Sequence, residues 1–194
     1  MNYFWTSDTH FKHKNIIKYS HRPFSSVEEM DREMIKRWNS VVKPQDTIFH
    51  LGDFSFAEED YIEHILRQLN GNKHLIWGNH DQAIEKSKKL QAYFNWCRHY
   101  YELNIDGQDT RDGRRKIVMC HYPMIVWNKS HRGSWMLHGH CHHNLRYPFE
   151  APILDVGVDG EKKFGFNYTP VSFQQIHDIL IKRKMTRVDH HAEM

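Results

Sequence analysis

The sequence has little of what marks secreted, membrane-bound or disulfide-bonded proteins. It holds only three cysteines, and their odd number and irregular spacing fit neither a disulfide framework nor a zinc-finger or redox motif. No apolar run approaches the roughly 20 residues that cross a membrane. The first residues show no basic region followed by the apolar stretch of a signal peptide. We therefore expect reduced thiols, a cytoplasmic location and no association with membranes.

The chain also lacks internal repeats, low-complexity tracts and Gly/Ser-rich linkers. Its 194 residues match the usual size of one domain, and 13% aromatic with 39% hydrophobic residues indicates a packed core. We expect a single domain over residues 1–183 and a polar, flexible tail over 184–194. The formal net charge of +3 neither requires nor excludes nucleic acid as a partner, and the oligomeric state is not indicated.

The first half of the chain alternates short apolar runs with helical periodicity. Strands are predicted at 3–7, 46–51 and 73–77. Helices are predicted at 26–41, at 62–69 and from Gln82. The first helix follows the capping-box pair Ser26 and Glu29. This alternation is typical of α/β proteins with a parallel or mixed sheet, in which ligand sites lie beyond the carboxyl ends of the strands.

The second half is richer in strands. They are predicted at 99–105, 114–119, 134–138 and 153–158, with the first two joined through turn residues at 106–113. Ser172 and Gln175 form another capping-box pattern before a last helix. A mixed α/β fold is therefore expected over the whole domain.

Ligand-type side chains concentrate in five short clusters at the predicted strand ends. The clusters are Asp8-Thr9-His10, Gly52-Asp53, Gly78-Asn79-His80-Asp81, Cys120-His121-Tyr122-Pro123 and Gly139-His140-Cys141-His142. Alternating positions such as 8 and 10 point to the same side of an extended segment, so each pair can converge on one ion. Asp53 is able to bridge, because a carboxylate has two oxygens. Imidazole with carboxylate suits manganese, iron or zinc better than calcium.

In this order the clusters resemble the motifs D-x-H, G-D, G-N-H-[D/E], H and G-H-x-H of the calcineurin-like metallophosphoesterase family. A single block is a weak signal, because an Asp-x-His at a strand end is more often a capping turn than a metal site. All five in order, from Asp8 to His142, are specific. The resemblance implies a four-layer α/β/β/α sandwich with mixed sheets, a dimetal site at the carboxyl ends of the strands, and hydrolysis of phosphoesters.

The same resemblance implies a role for each block. The implied ligands are Asp8, His10 and His142 for one ion, Asn79, His121 and His140 for the other, and Asp53 between them. Manganese is the expected metal, with iron, zinc or nickel as alternatives. A hydroxide bridging the two ions would attack the phosphorus. His80, oriented by Asp81, would protonate the leaving group or stabilise the transferring oxygens.

Departures from the family pattern bear on the substrate. The G-D block continues as Phe54-Ser55-Phe56 and not as the D-R-G of protein serine/threonine phosphatases, so phosphoproteins are not expected. The chain resembles small bacterial and phage members of the family in its compact length, its Arg22-Pro23-Phe24 loop and its Asp155-Val156-Gly157-Val158-Asp159 run. This likeness favours a phosphodiesterase over a phosphomonoesterase, with a small molecule or nucleotide as substrate. Arg22 is a candidate to bind a substrate phosphate, since guanidinium matches phosphate oxygens, although a loop arginine is more often solvated.

Two other interpretations stay open. A nuclease with the same chemistry, acting on nucleic-acid ends or single strands, is favoured by the net positive charge and by basic residues near the predicted site, which are Lys12, Lys14, Lys18 and Arg22. A non-catalytic protein-interaction scaffold of the same fold is the second, although a scaffold has no need to keep His80 and all seven ligands. Several other residues near the motifs are expected to pack in the core or to support the ligands, and not to act as ligands or nucleophiles. They are Cys120, Cys141, Trp127, His50, His74, His138 and His143.

Overall fold

The computed structural model describes residues 2–106 and 113–186. The strands are β1 (Tyr3–Thr6), β2 (Thr47–His50), β3 (Asn72–Ile76), β4 (Cys97–Arg98), β5 (Tyr100–Asp106), β6 (Arg114–Cys120), β7 (Trp135–His138), β8 (Ile153–Asp155) and β9 (Val171–Ser172). The helices are α1 (Ile16–Tyr19), α2 (Val27–Val41), α3 (Glu59–Gln68), α4 (Gln82–Lys86), α5 (Lys88–Gln91), α6 (Glu161–Phe164) and α7 (Phe173–Leu180). Short 3-10 turns lie at Ser130–Arg132 and Val158–Gly160.

Local sequence signals set the ends of the long helices. At the start of α2, the hydroxyl of Ser26 accepts a hydrogen bond from the amide of Glu29 at 3.1 Å. At the start of α7, Ser172 and Gln175 form a reciprocal capping box, as predicted. Each cap satisfies backbone amides that the first helical turn leaves without a partner.

The strands form two mixed sheets. The first has the order β4-β3-β2-β1-β9, with β1 to β4 parallel and β9 antiparallel to β1. The second has the order β5-β6-β7-β8, in which β5 is antiparallel and the rest are parallel. Parallel neighbours bring the carboxyl ends of β1, β2 and β3 together at one edge, and those of β6, β7 and β8 together at one edge of the second sheet.

Alternating side chains of the first sheet supply two different cores. Phe4, Ile48 and Leu75 pack with residues of α2 and α3. Their neighbours Trp5 and Phe49 face the second sheet instead, where they join the buried residues Ile117, Met119, Trp135, Leu137 and Leu154. This two-sided burial explains why the central strands are apolar at successive positions.

The outer face of the second sheet carries a smaller core. Val118, Met136 and Ile153 are covered there by Trp127 and Ala151, which lie in connecting segments. The expectation that Trp127 packs in the core is confirmed. Met185 also packs against this cluster, and the amide of Thr186 donates to the carbonyl of Glu150 at 2.8 Å. Positions 187–194 of the expected tail lie outside the described residues.

The predicted α/β fold with two mixed sheets is confirmed. The strand predicted at 99–105 includes Asp106 as well. The two residues before it, Cys97 and Arg98, form a strand of the first sheet, so the chain changes sheets at His99. The predicted strand at 153–158 ends at Asp155, and the expected turn at 106–113 falls mostly on residues outside the description. No helix within 2–106 and 113–186 is long and apolar enough to span a membrane.

Candidate metal centre

The five predicted clusters meet beyond the carboxyl ends of the strands. The parallel pairing of β1 and β2 continues past the strands, because the amides of Asp8 and His10 donate to the carbonyls of Gly52 and Asp53 at 3.0 and 3.1 Å. A parallel bridge between Ser7 and Gly157 joins the loops after β1 and β8. The two sheets thereby bring their loops to one edge of the sandwich.

Backbone conformation is unusual at most of the predicted ligands. Positive φ values occur at Asp8 (56°), His10 (51°), Asp53 (58°), His140 (69°) and His142 (45°). A residue other than glycine in this left-handed region costs on the order of 1–3 kcal/mol, and such residues concentrate at functional sites. The surrounding hydrogen bonds therefore hold these five side chains in directions that a relaxed backbone would not give.

Asp8, His10 and His142 form the first group of candidate ligands. One donor atom of each lies within 4.8 Å of the others. The Nε2 atoms of His10 and His142 are 4.0 and 3.9 Å from Asp8 Oδ1. Asp8 and His10 are buried, and neither nitrogen of His10 has a hydrogen-bond partner among the described residues. Burial lowers the pKa of His10 far below its usual value, so its imidazole is in the neutral form that binds metal ions.

The second group is Asp53, His121 and His140, with Asn79 beside it. His121 Nε2 lies 3.6 Å from Asp53 Oδ1 and 3.2 Å from Asn79 Oδ1. The other ring nitrogen, Nδ1, donates to the carbonyl of Leu51 at 2.7 Å, which fixes the tautomer and leaves Nε2 free to bind an ion. His140 is exposed, so this side of the centre is open to solvent.

Asp53 lies between the two groups. Its Oδ2 is 3.7 Å from His10 Nε2, and its Oδ1 is 3.6 Å from His121 Nε2. One carboxylate oxygen therefore faces each group, as expected of a bridging ligand. Asp8 and Asp53 are both buried, and a buried carboxylate is costly without a cation. Two carboxylates with several imidazoles around one centre are a donor set that fits divalent transition metals.

Two glycines allow the loops to approach the carboxylates. A side chain at Gly78 would overlap Asp53 Oδ1, and one at Gly139 would overlap the hydroxyl of Ser7 and crowd Asp8 Oδ2. Neither glycine adopts the left-handed conformation, so backbone strain is not the reason that glycine is required there. The G-N-H and G-H-x-H motifs therefore contain glycine because their backbones touch the ligands of the neighbouring loops.

His80 lies beside both groups. Its amide donates to Asp53 Oδ1 at 2.9 Å, and its half-buried ring packs 4.4 Å from the ring of Phe56 and 5.8 Å from that of His10. Asp81 does not make the predicted contact with the imidazole of His80. Its carboxylate instead accepts hydrogen bonds from the amides of Asp53, Phe54 and Gly78 at 2.8 to 3.0 Å. Burial raises the pKa of Asp81 to about 6.

The structure corrects the role predicted for Arg22. Its side chain has no exposed surface and forms an ion pair with Asp159, with 2.8 Å between Nε and Oδ1. The guanidinium also donates to the carbonyls of Asp8 and Thr9. A substrate phosphate would need an accessible guanidinium with unused donors, which Arg22 does not offer. Although burial opposes ionisation, His142 and Arg22 hold the pKa of Asp159 below its usual value.

The supporting histidines lie as predicted around the ligands. His50 contacts the hydroxyl of Thr9 at 2.9 Å, His143 donates to the carbonyl of Gly157 at 2.9 Å, and His138 donates to that of Gly139 at 2.7 Å. Further from the centre, His74 packs between Phe49 and Trp96. Burial raises the pKa of the Cys141 thiol to about 11, and raises that of Cys120 as well, so both stay protonated and neither is a nucleophile.

Phe56, Tyr122 and Asp159 were not singled out from the sequence as functional residues. The rings of Phe56 and Tyr122 are 42% and 46% exposed beside the centre. The hydroxyl of Tyr122 lies 3.4 Å from Asn79 Oδ1, and its ring is 4.8 Å from that of His140. The position of Tyr122 directly after His121 was an available signal. Phe56 and Asp159 reach the centre through tertiary contacts that the sequence does not display.

Comparison with known proteins agrees with this geometry. A profile of the calcineurin-like phosphoesterase superfamily domain matches residues 1–150. An uncharacterised protein of Methanocaldococcus jannaschii is 35% identical over 188 residues, which cover 93% of this chain and 92% of that protein. The Gene 66 protein of Mycobacterium phage L5 is 28% identical over 201 residues, with 92% and 94% covered.

A solved structure shares the fold. It is a protein of unknown function from Aquifex aeolicus with 25% identity and a TM-score of 0.62, and the match covers 92% of this chain and 98% of that one. The family match spans all five motif blocks, and the described residues bring those blocks together in space. The chain belongs to the calcineurin-like phosphoesterase superfamily, whose members are dimetal-dependent phosphoester hydrolases.

Proposed function

We propose that the protein is a phosphodiesterase that acts on a small molecule or nucleotide and requires two divalent ions, with manganese as the preferred metal. The observation that carries the proposal is the position of Asp53, with one oxygen facing His10 and the other facing His121. Two ligand groups that share a carboxylate fit a pair of ions better than a single one. Bound there, the ions would supply a water of lowered pKa as nucleophile and neutralise charge on the phosphate.

The chain's own residues would orient this reaction. Asp81 fixes the loops that carry Asp53 and Asn79, because its carboxylate binds the amides of Asp53 and Gly78. His80 is held by its amide to Asp53 while its ring stays half-exposed toward the solvent side. An imidazole in this place can give a proton to the leaving oxygen, because histidine is the side chain that most often acts as a general acid or base.

The exposed rings of Phe56 and Tyr122 favour a substrate with planar groups. Both contact the Asn79-His80 segment, with Phe56 against His80 and Tyr122 against Asn79. Stacking of a base on an aromatic side chain contributes about 1–3 kcal/mol. This observation supports nucleotides as substrates and, as a second candidate function, a nuclease that acts on single strands or ends.

A substrate panel tests the proposal. The purified chain is loaded in turn with manganese, nickel, zinc and magnesium and offered aryl monoesters, aryl diesters, cyclic nucleotides and short oligonucleotides. We expect manganese-dependent turnover of diesters that exceeds turnover of monoesters, and a loss of about 100-fold or more in kcat for His80→Ala. Turnover of oligonucleotides alone would favour the nuclease. Absence of turnover in every arm, with His80→Ala indistinguishable from the wild type, would favour a non-catalytic scaffold.

A further inference from the structure

Arg22 binds the backbone that carries two ligands of the first group. Its Nη2 donates to the carbonyl of Asp8 at 2.7 Å, and its Nη1 donates to the carbonyl of Thr9 at 2.8 Å. These two carbonyls flank the turn that places Asp8 and His10 on the same side. Through Nε and Nη2 the same guanidinium binds Asp159 Oδ1 and Oδ2 at 2.8 and 2.9 Å. A planar guanidinium suits this use, because its donors have a fixed geometry.

Asp159 extends the contact to the third ligand, His142. Its Oδ2 accepts a hydrogen bond from His142 Nδ1 at 2.7 Å. The other nitrogen, Nε2, is the one that lies 3.9 Å from Asp8 Oδ1. A carboxylate on the remote nitrogen fixes the tautomer and the ring orientation of a metal-binding histidine. The side chains of Arg22 and Asp159 are 0% and 5% exposed, so these hydrogen bonds are largely shielded from water.

The second group is held by different contacts. His121 is fixed by the carbonyl of Leu51. The loops that carry Asp53 and Asn79 are fixed by Asp81, which binds amides at Asp53 and Gly78. The two halves of the centre meet at the carboxylate of Asp53 and at Asp8, whose Oδ1 and Oδ2 accept hydrogen bonds from the amide of His140 at 3.1 and 3.0 Å. The hydrogen bonds of Arg22 and Asp159, by contrast, go to residues 8, 9 and 142 on the side of the first group.

We propose that Arg22 and Asp159 are positioning residues for the ion held by Asp8, His10 and His142, and that they affect the affinity of this ion more strongly than that of the other. The inference rests on the proposed two-ion centre. It does not depend on which phosphoester is cleaved.

Asp159→Asn is the variant that addresses the inference most directly. The amide keeps the size of the side chain but offers one acceptor oxygen to three donors, which are Nε and Nη2 of Arg22 and Nδ1 of His142. Asp46→Asn is the matched control. Asp46 is also an aspartate of low exposure, and it accepts hydrogen bonds from the amides of Asn2 and Lys43, at the opposite end of the sheet.

The experiment titrates the metal-free full chain with Mn²⁺ and measures the free ion by electron paramagnetic resonance. We expect two bound ions per chain for the wild type and for Asp46→Asn. For Asp159→Asn we expect one ion with wild-type affinity and a second weakened by about 10- to 100-fold. His142→Asn, which removes the ligand itself, is expected to lose the same ion.

Other outcomes overturn the inference. Two ions of wild-type affinity in Asp159→Asn would show that the network does not position His142. Equal weakening of both ions in folded protein would show a general structural effect. If circular dichroism shows that Asp159→Asn is unfolded, the titration is done with Arg22→Lys instead. This variant keeps the charge but cannot make the bidentate contact with Asp159. The expected result is the same. A wild-type chain that binds fewer than two ions would overturn the two-ion centre as well, whereas absent turnover with two bound ions would count against the proposed function alone.

Discussion

Replacing Arg22 with methionine distinguishes a buried structural arginine from one that binds substrate. The change leaves the Asp159 carboxylate without its bidentate partner, and the carbonyls of Asp8 and Thr9 without a donor. Removing one side of a buried ion pair costs about 3–5 kcal/mol. In a domain of this length, 1 kcal/mol corresponds to about 2–4 °C in Tm. The expected decrease in Tm for Arg22→Met is therefore roughly 6–20 °C.

A phosphate-binding arginine would behave differently. Substitution of an exposed side chain changes stability by about 0.5 kcal/mol or less, and loss of a substrate contact would raise KM with Tm unchanged. Arg32→Met is the control, because Arg32 is an exposed residue of α2. Thermal unfolding is followed by circular dichroism at neutral pH with a chelator, so that bound metal does not contribute. A decrease in Tm as small as that of Arg32→Met would refute the buried-pair argument.

Three further predictions concern stability. Added Mn²⁺ is expected to raise the stability of the wild type by about 2.7 kcal/mol at a free concentration 100 times the Kd, and an unchanged Tm in calorimetry would contradict metal binding to the folded chain. Leu137→Ala, in the core between the sheets, should cost about 2–5 kcal/mol in chemical denaturation, and a loss under about 1 kcal/mol would mean that this core is loosely packed. A hydrogen bond from Lys116 lowers the pKa of Glu102 to about 2. Because the folded-state pKa is depressed from 4.5, this stabilisation is present above about pH 4.5 and lost as the pH falls towards 2. The Tm difference between wild type and Glu102→Gln should close over that interval, and a constant difference would contradict the pairing.

The parts of the fold and site that could be predicted are those encoded in contiguous residues. The Asp8-Thr9-His10 block carries its ligand types and spacing in three neighbouring positions, and the capping pair at Ser172 and Gln175 is equally local. Strands β1, β2 and β3 were predicted to within two residues, because each contains apolar residues that end at a turn or at a polar loop.

The features that the sequence did not reveal depend on tertiary packing. The two-residue strands β4 and β9 exist only because β3 and β1 offer them a pairing edge. Arg22 stands in a loop, where exposure is the usual state, and its burial requires Asp159 to come from the other end of the domain. The family resemblance implied that Asp81 orients His80, but the backbone directs the Asp81 carboxylate to the amides of Asp53 and Phe54.

Anomalous diffraction from crystals grown with Mn²⁺ would show directly whether two ions bind. We expect two peaks about 3.5–4 Å apart, one beside Asp8, His10 and His142 and the other beside Asn79, His121 and His140, with the carboxylate of Asp53 between them. A single peak, or peaks away from Asp53, would contradict the two-ion centre.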